Sequence, residues 1–305
     1  MKRFDGLLDR YLEQYEAQGW VPESVANTRR ELSRWGQWLK EQRPRPKLEE
    51  IDADLITHYL RGRGRFKAKA TVRGVMSALR GMGEWLVQRE VWSANPLRWM
   101  KGPKLDPFSR SPRPIDEEAM EALWRSAAET RSVFARHQWL AVLSILYGTG
   151  FRRGEVARLK LDDWNATDGV LRCDGRKTNR ERRSLVPEIT ASCLERYLPH
   201  RHNHLEKTKA LGQDALFLNR KGEPLKPDAI SRGVHRLAKR AEVPLTTLHQ
   251  FRHTCATALL EAGARVPEVQ QALGHQRLET TMRYLHLSDP MRREAIELHP
   301  INDCL

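Results

Sequence analysis

Leu248-His249-Gln250-Phe251-Arg252-His253-Thr254 is the stretch on which the reading of this chain turns. Upstream stands Thr149-Gly150-Phe151-Arg152; downstream stands Leu273-Gly274-His275, followed nine positions later by Tyr284. Two arginines, two histidines and a tyrosine are the groups needed to break and reseal a phosphodiester without a metal. Arginine and histidine are frequent in any basic chain, so single matches carry little weight. The inference rests on the order and joint occurrence of Arg152, His249, Arg252, His275 and Tyr284.

The chemistry assigns each a role. A phosphorane transition state gains negative charge on its non-bridging oxygens, and fixed donors aimed there supply the largest single catalytic effect. Arg152 and Arg252 can each offer a bidentate fork. Arg152 also opens a helix after a glycine-rich break, where backbone amides and the helix dipole favour an anion. The competing reading of Arg152 is a surface arginine paired with Glu155 one turn on. A phenol has a pKa of about 10, so Tyr284 as nucleophile needs a base, and His249 suits that task. The sugar alkoxide leaving group needs an acid. Lys177 is the candidate, at the tip of the basic hairpin Gly175-Arg176-Lys177-Thr178-Asn179-Arg180-Glu181-Arg182-Arg183; the same hairpin as a solvated charge run would only touch DNA backbone. His275 follows Gly274, which ends a helix, and can donate to a non-bridging oxygen. His249 and His253 have a spacing that can hold zinc, but no glutamate follows His249. His200, His202 and His204 alternate, which suits a loop better than a metal site. No metal and no cofactor is expected.

Composition points to the same class of partner. Among 305 residues, Lys and Arg number 53 against 39 Asp and Glu, a net charge of +14 that favours a polyanion, with nucleic acid first. Cys173, Cys193, Cys255 and Cys304 show no paired spacing and read as free thiols in a reducing cytosol. No apolar run approaches the roughly 18 residues of a membrane span, so no membrane partner and a cytoplasmic location are expected.

The pattern of apolar residues divides the chain. Residues 1–100 read as four helices, including Phe4, Leu8 and Tyr11 in the first and Val72, Met76 and Leu79 in the fourth, closed by an Asn95-Pro96 turn. Residues 101–114 hold four prolines and four basic residues and read as an extended linker. Residues 115–305 begin with a helix capped by Asp116. An apolar helix at 133–147 follows, then short strands near 160–164, 170–174 and 183–186. Helices are expected at about 188–198, 227–241, 249–262, 266–273, 279–286 and 289–298.

Gly150-Phe151-Arg152 with Glu155 and Leu159, Leu248 to Thr254 with Ala256 and Thr257, and Leu273-Gly274-His275 with Thr280 to His286 resemble, box by box, the tyrosine site-specific recombinases (the phage integrase family). The resemblance implies a mainly α fold: a four-helix SAM-like core-binding domain, then an α+β catalytic domain with a small three-stranded antiparallel sheet. It implies Arg152, Lys177, His249, Arg252, His275 and Tyr284 as the catalytic set, with Glu155 as supporting carboxylate. It further implies a 3′-phosphotyrosyl intermediate on double-stranded DNA with specific core sites. Four protomers, with or without a second related recombinase, would exchange strands through a four-way junction, and a C-terminal helix would dock on the neighbouring protomer. No extra DNA-binding domain precedes residue 4, so the simple Xer-like two-domain type is expected. The hairpin departs from the family's short Gly-Lys-Gly form, leaving the acid position open between Lys177 and Arg176. Arginine titrates too high to be a good acid, which favours Lys177. The alternatives are a non-catalytic DNA-binding accessory protein on the same fold and a relaxing enzyme like the type IB topoisomerases.

Overall fold

The structure, a computed structural model, describes residues 2–64, 68–104, 114–173, 182–245 and 247–274. The chain separates into two compact units, Met1–Ser109 and Arg110–Leu305. Lys177, His275, Tyr284, the linker from 105 to 113 and both expected terminal helices lie outside the described residues.

The first unit contains α1 (Lys2–Ala17), α2 (Pro22–Glu41), α3 (Ala53–Gly64) and α4 (Lys69–Gln88). Proline at the first position of α2 suits a site whose amide has no helical acceptor. Asp52 caps α3 by accepting from the Leu55 amide at 2.8 Å. Phe4, Tyr11, Leu32, Trp35, Ile56, Leu79 and Met82 form the buried centre. Gly36 lets the Phe4 ring lie against α2, because a Cβ there would meet the ring at 2.5 Å. Two of the core tryptophans are paired: Trp85 Nε1 donates to Gln14 Oε1 at 2.7 Å and Trp92 Nε1 to the Leu48 carbonyl at 2.7 Å. The Asn95-Pro96 turn is held by Asn95, whose amide nitrogen donates to the Arg80 carbonyl at 3.1 Å and Glu84 at 2.8 Å.

The second unit is built around α6 (Val133–Gly148), which packs against α5 (Glu117–Ala128) and against α8 (Glu188–Thr208) and α10 (His249–Glu261) further along the chain. Asp116 and Ser132 cap α5 and α6. Between α6 and α8 run the short α7 (Arg153–Arg158) and a three-stranded antiparallel sheet, β1 (Trp164–Asn165), β2 (Val170–Cys173) and β3 (Arg182–Leu185), in that spatial order. Cys173 pairs with Arg182, so the two roots of the basic hairpin stand side by side. α9 (Pro227–Arg240) and α11 (Val266–Leu273) complete the described elements.

Two segments differ from the sequence expectation. The strand expected at 160–164 is a 3-10 turn, Leu161–Asp163, with strand only from Trp164; Asp163 takes the Lys160 amide at 2.8 Å and closes the turn. Helix α8 runs through Pro199 to Thr208, so His200, His202 and His204 are helical. Tertiary partners outweigh the proline there. Buried Arg201 donates to the carbonyls of Gln213 and Ala215, both at 2.6 Å, and His204 stacks on Phe134 at 3.9 Å.

The α9–α6 contact sets a testable constraint. A Cβ on Gly233 would fall 1.9 Å from the Trp139 ring. Gly233→Ala is expected to destabilise by about 1–3 kcal/mol through overpacking, read as a lower denaturant midpoint with an unchanged slope.

Candidate active site

The site begins where α6 ends. Thr149 accepts the Phe151 amide at 3.3 Å and donates to the Ile145 carbonyl at 2.7 Å, which turns the chain sharply. Gly150 has φ +59°, and a Cβ there would meet Leu273 at 2.5 Å. Glycine is required for both reasons. The turn delivers Arg152 to the N-cap of α7.

Glu155 holds Arg152 twice: Oε2 accepts the Arg152 amide at 2.7 Å and Oε1 accepts Nη1 at 2.7 Å. The N-terminal amide expected to favour an anion is therefore engaged by this carboxylate. The competing reading of Arg152 as paired with Glu155 is observed, yet the arginine side chain keeps 36% exposure against 13% for the glutamate. Burial works against the Glu155 charge, but the Arg152 amide and guanidinium, with Arg182 behind them, hold its pKa below the ordinary carboxylate value.

Arg252, on α10, is 1% exposed. Its Nη1 donates to the Gly150 carbonyl at 2.8 Å and its Nη2 to the Leu273 carbonyl at 2.5 Å. It thereby joins the turn before Arg152 to the end of α11, where Gly274 adopts φ +66° and leads the chain out toward residue 275. His249 opens α10 with an open edge to solvent and meets His253 edge to face at 4.5 Å. Partial burial, then the charges of Arg252 and Arg152, lower its imidazole pKa. The lowered pKa favours the neutral ring, the form a general base needs.

Four sequence-selected residues, Arg152, Glu155, His249 and Arg252, fall in one region. Lys177, His275 and Tyr284 lie outside the described residues, so their positions relative to that region are not part of this geometry. One participant was not singled out by sequence: Arg182, at the start of β3. Its guanidinium lies 4.7 Å from the Phe151 ring centre and 3.8 Å from Glu155 Oε2. Its Nη2 donates to the carbonyls of Thr149, at 2.8 Å, and Ala272. In sequence it is one of many basic residues in a charged hairpin. The strand alternation, which sets Arg182 and Ser184 inward and Arg183 outward, is the signal that separates it.

The profile described as "Phage integrase family" matches residues 113–291, more than half of the chain, and that described as "Phage integrase, N-terminal SAM-like domain" matches residues 8–90. The chain belongs to the phage integrase family. Among curated members, the tyrosine recombinase XerD of Halalkalibacterium halodurans is 32% identical over 256 residues, 82% of each chain. The tyrosine recombinase XerC of Corynebacterium efficiens is 32% identical over 236 residues, 77% of this chain and 73% of that one. Among solved structures, a XerH site-specific recombinase bound to palindromic difH substrate in a post-cleavage complex superposes with a TM-score of 0.72 at 21% identity, covering 96% of this chain and 94% of that one. The mainly α fold with its small antiparallel sheet is that of this integrase family.

Two measurements follow. The His249 ring protons, followed by NMR, should titrate below the usual histidine midpoint of about 6.5, and Arg152→Gln should move that midpoint upward by removing a neighbouring cation. Glu155→Gln should cost about 2 kcal/mol at pH 7. Because the carboxylate's folded pKa is depressed, its stabilisation is present above the ordinary carboxylate pKa and is lost as pH falls through the lower folded value. The gap in Tm between wild type and variant should therefore narrow in acid.

Proposed function

We propose that Arg152, Lys177, His249, Arg252, His275 and Tyr284 are the catalytic residues of this recombinase, with Glu155 as the carboxylate that holds Arg152. As a tyrosine recombinase of the integrase family, the enzyme breaks and rejoins DNA strands at specific sites; the proposed residues need neither metal nor ATP for this. The observation that carries the residue assignment is the convergence of Arg152, His249 and Arg252, drawn from positions 100 residues apart, around one turn held by Glu155.

In the proposed reaction Tyr284 Oη attacks the scissile phosphorus while neutral His249 accepts its proton. Arg152, the more exposed guanidinium, meets the phosphate. Arg252 forms the floor beneath it, and His275 donates to a non-bridging oxygen. The bond from phosphorus to the 5′ oxygen breaks, and Lys177 supplies the proton that turns this alkoxide into a free 5′ hydroxyl. The 3′-phosphotyrosyl ester keeps the bond energy, so a 5′ hydroxyl from the other duplex can reverse the step onto a new strand. The domains assigned are 1–100 for core DNA binding, 101–114 as linker and 115–305 for catalysis. Four protomers on two double-stranded core sites, joined cyclically by their C-terminal helices, would exchange strands in pairs through a four-way junction. The net charge of +14 supports a DNA partner whose affinity falls steeply with salt, and a cytoplasmic location fits that role.

A nicked suicide duplex carrying the target site tests this reading. Wild type should become covalently trapped, Tyr284→Phe should not, and Arg152→Ala should trap about 100–1000-fold more slowly. Binding without trapping by the wild type would instead identify a DNA-binding accessory protein. Truncation after Ser288 should weaken cooperative assembly in a gel-shift titration while leaving single-protomer binding.

A further inference from the structure

We infer that Arg182 is a positioning residue for the cleavage reaction, a buried guanidinium that fixes the Arg152 turn against the Gly274 turn. The inference rests on the proposed roles of Arg152 and His275.

Two segments more than 100 residues apart in sequence, 149–152 and 272–274, meet at the site. Two guanidinium groups join them side by side. Arg252 bridges the Gly150 and Leu273 carbonyls. Arg182 bridges the Thr149 and Ala272 carbonyls, in each case one residue earlier in the chain. Its side chain is only 12% exposed, and its plane lies over Phe151, the residue before Arg152. It also stands behind Glu155, the carboxylate that clamps Arg152. A Cβ on Gly274 would fall 2.9 Å from Arg182 Cδ, so the arginine stem packs directly under the last described residue before position 275.

Burying a cation is costly unless it is paired and hydrogen-bonded, and among the described residues Arg182 Nε and Nη1 are buried with no hydrogen-bond partner. Any well-packed apolar side chain would fill the space without that cost. What an apolar residue lacks is a donor for the two carbonyls, a task Nη2 performs alone; lysine, a compact point charge on a flexible stem, lacks the broad delocalised cation that covers the Phe151 ring. The arrangement therefore serves alignment of the two turns. Arg182 does not touch substrate in this role: it acts through Arg152 and the Gly274 turn.

Arg182→Met and Arg182→Lys test this with the full chain and the nicked duplex. Both should bind DNA within about threefold of wild type yet form the covalent complex about 10–100-fold more slowly, the range for residues that orient catalytic groups. Lysine should fail to rescue despite its charge. In an Arg152→Ala background the further loss from Arg182→Lys should be much smaller, since the residue it aligns is already gone. Wild-type trapping rates in a folded Arg182→Lys protein, or the same fold loss with and without Arg152, would overturn the inference. Should Arg182→Met not fold, Arg182→Lys carries the comparison alone. Failure of the wild type itself to trap DNA would strike the proposed catalytic assignment instead, so the two failures are distinguishable.

Discussion

The second unit depends on one buried interaction: the Arg252 guanidinium donating at once to the Gly150 and Leu273 carbonyls. A cation that is 1% exposed persists only where its donors find acceptors. Backbone carbonyls at two loop ends are well suited, because among the described residues neither is used by a helix or strand. The interaction in turn dictates its surroundings. Gly150 must be glycine for the chain to reach Leu273, Gly274 must be left-handed to end α11, and Cys255 is the small side chain beneath Gly150. Once these hold, the Arg152 turn and the end of α11 have one mutual arrangement.

The same device recurs away from the site. Buried Arg201 ties α8 to the carbonyls of Gln213 and Ala215, and the side-chain Oε1 of Gln138 accepts the Leu218 amide and the Tyr197 hydroxyl, both at 3.0 Å. Irregular segments that cross the core are anchored by side chains from regular helices. The buried backbone polar groups are thereby satisfied without extra strands. This gives a helical unit with a small sheet enough rigidity to hold charged groups in place.

Much of this was legible in the primary structure. Helical spacing of apolar residues located the four helices of the first unit by their cores, and Asp116 marked the start of α5 as a cap. Arg152, Glu155, His249 and Arg252 stood out through their strings. Two of the failures are of one kind. Pro199 and the alternating histidines read as a loop because local propensity argues for a break, while Arg201 and His204 find partners 12 to 70 residues away that keep the helix going. Arg182 was lost among basic neighbours because nothing local tells a buried guanidinium from a solvated one.

The amino-acid sequence by itself determined the class of chemistry and the helical division of the chain, and it singled out Arg152, Glu155, His249 and Arg252, because these follow from residue type, period and order. The tertiary structure alone decided which charges are enclosed and what they hold. Arg252 and Arg182 became ties between distant carbonyls, and Glu155 became the clamp on Arg152, since burial and hydrogen-bond partners across 100 residues arise only when the chain closes on itself.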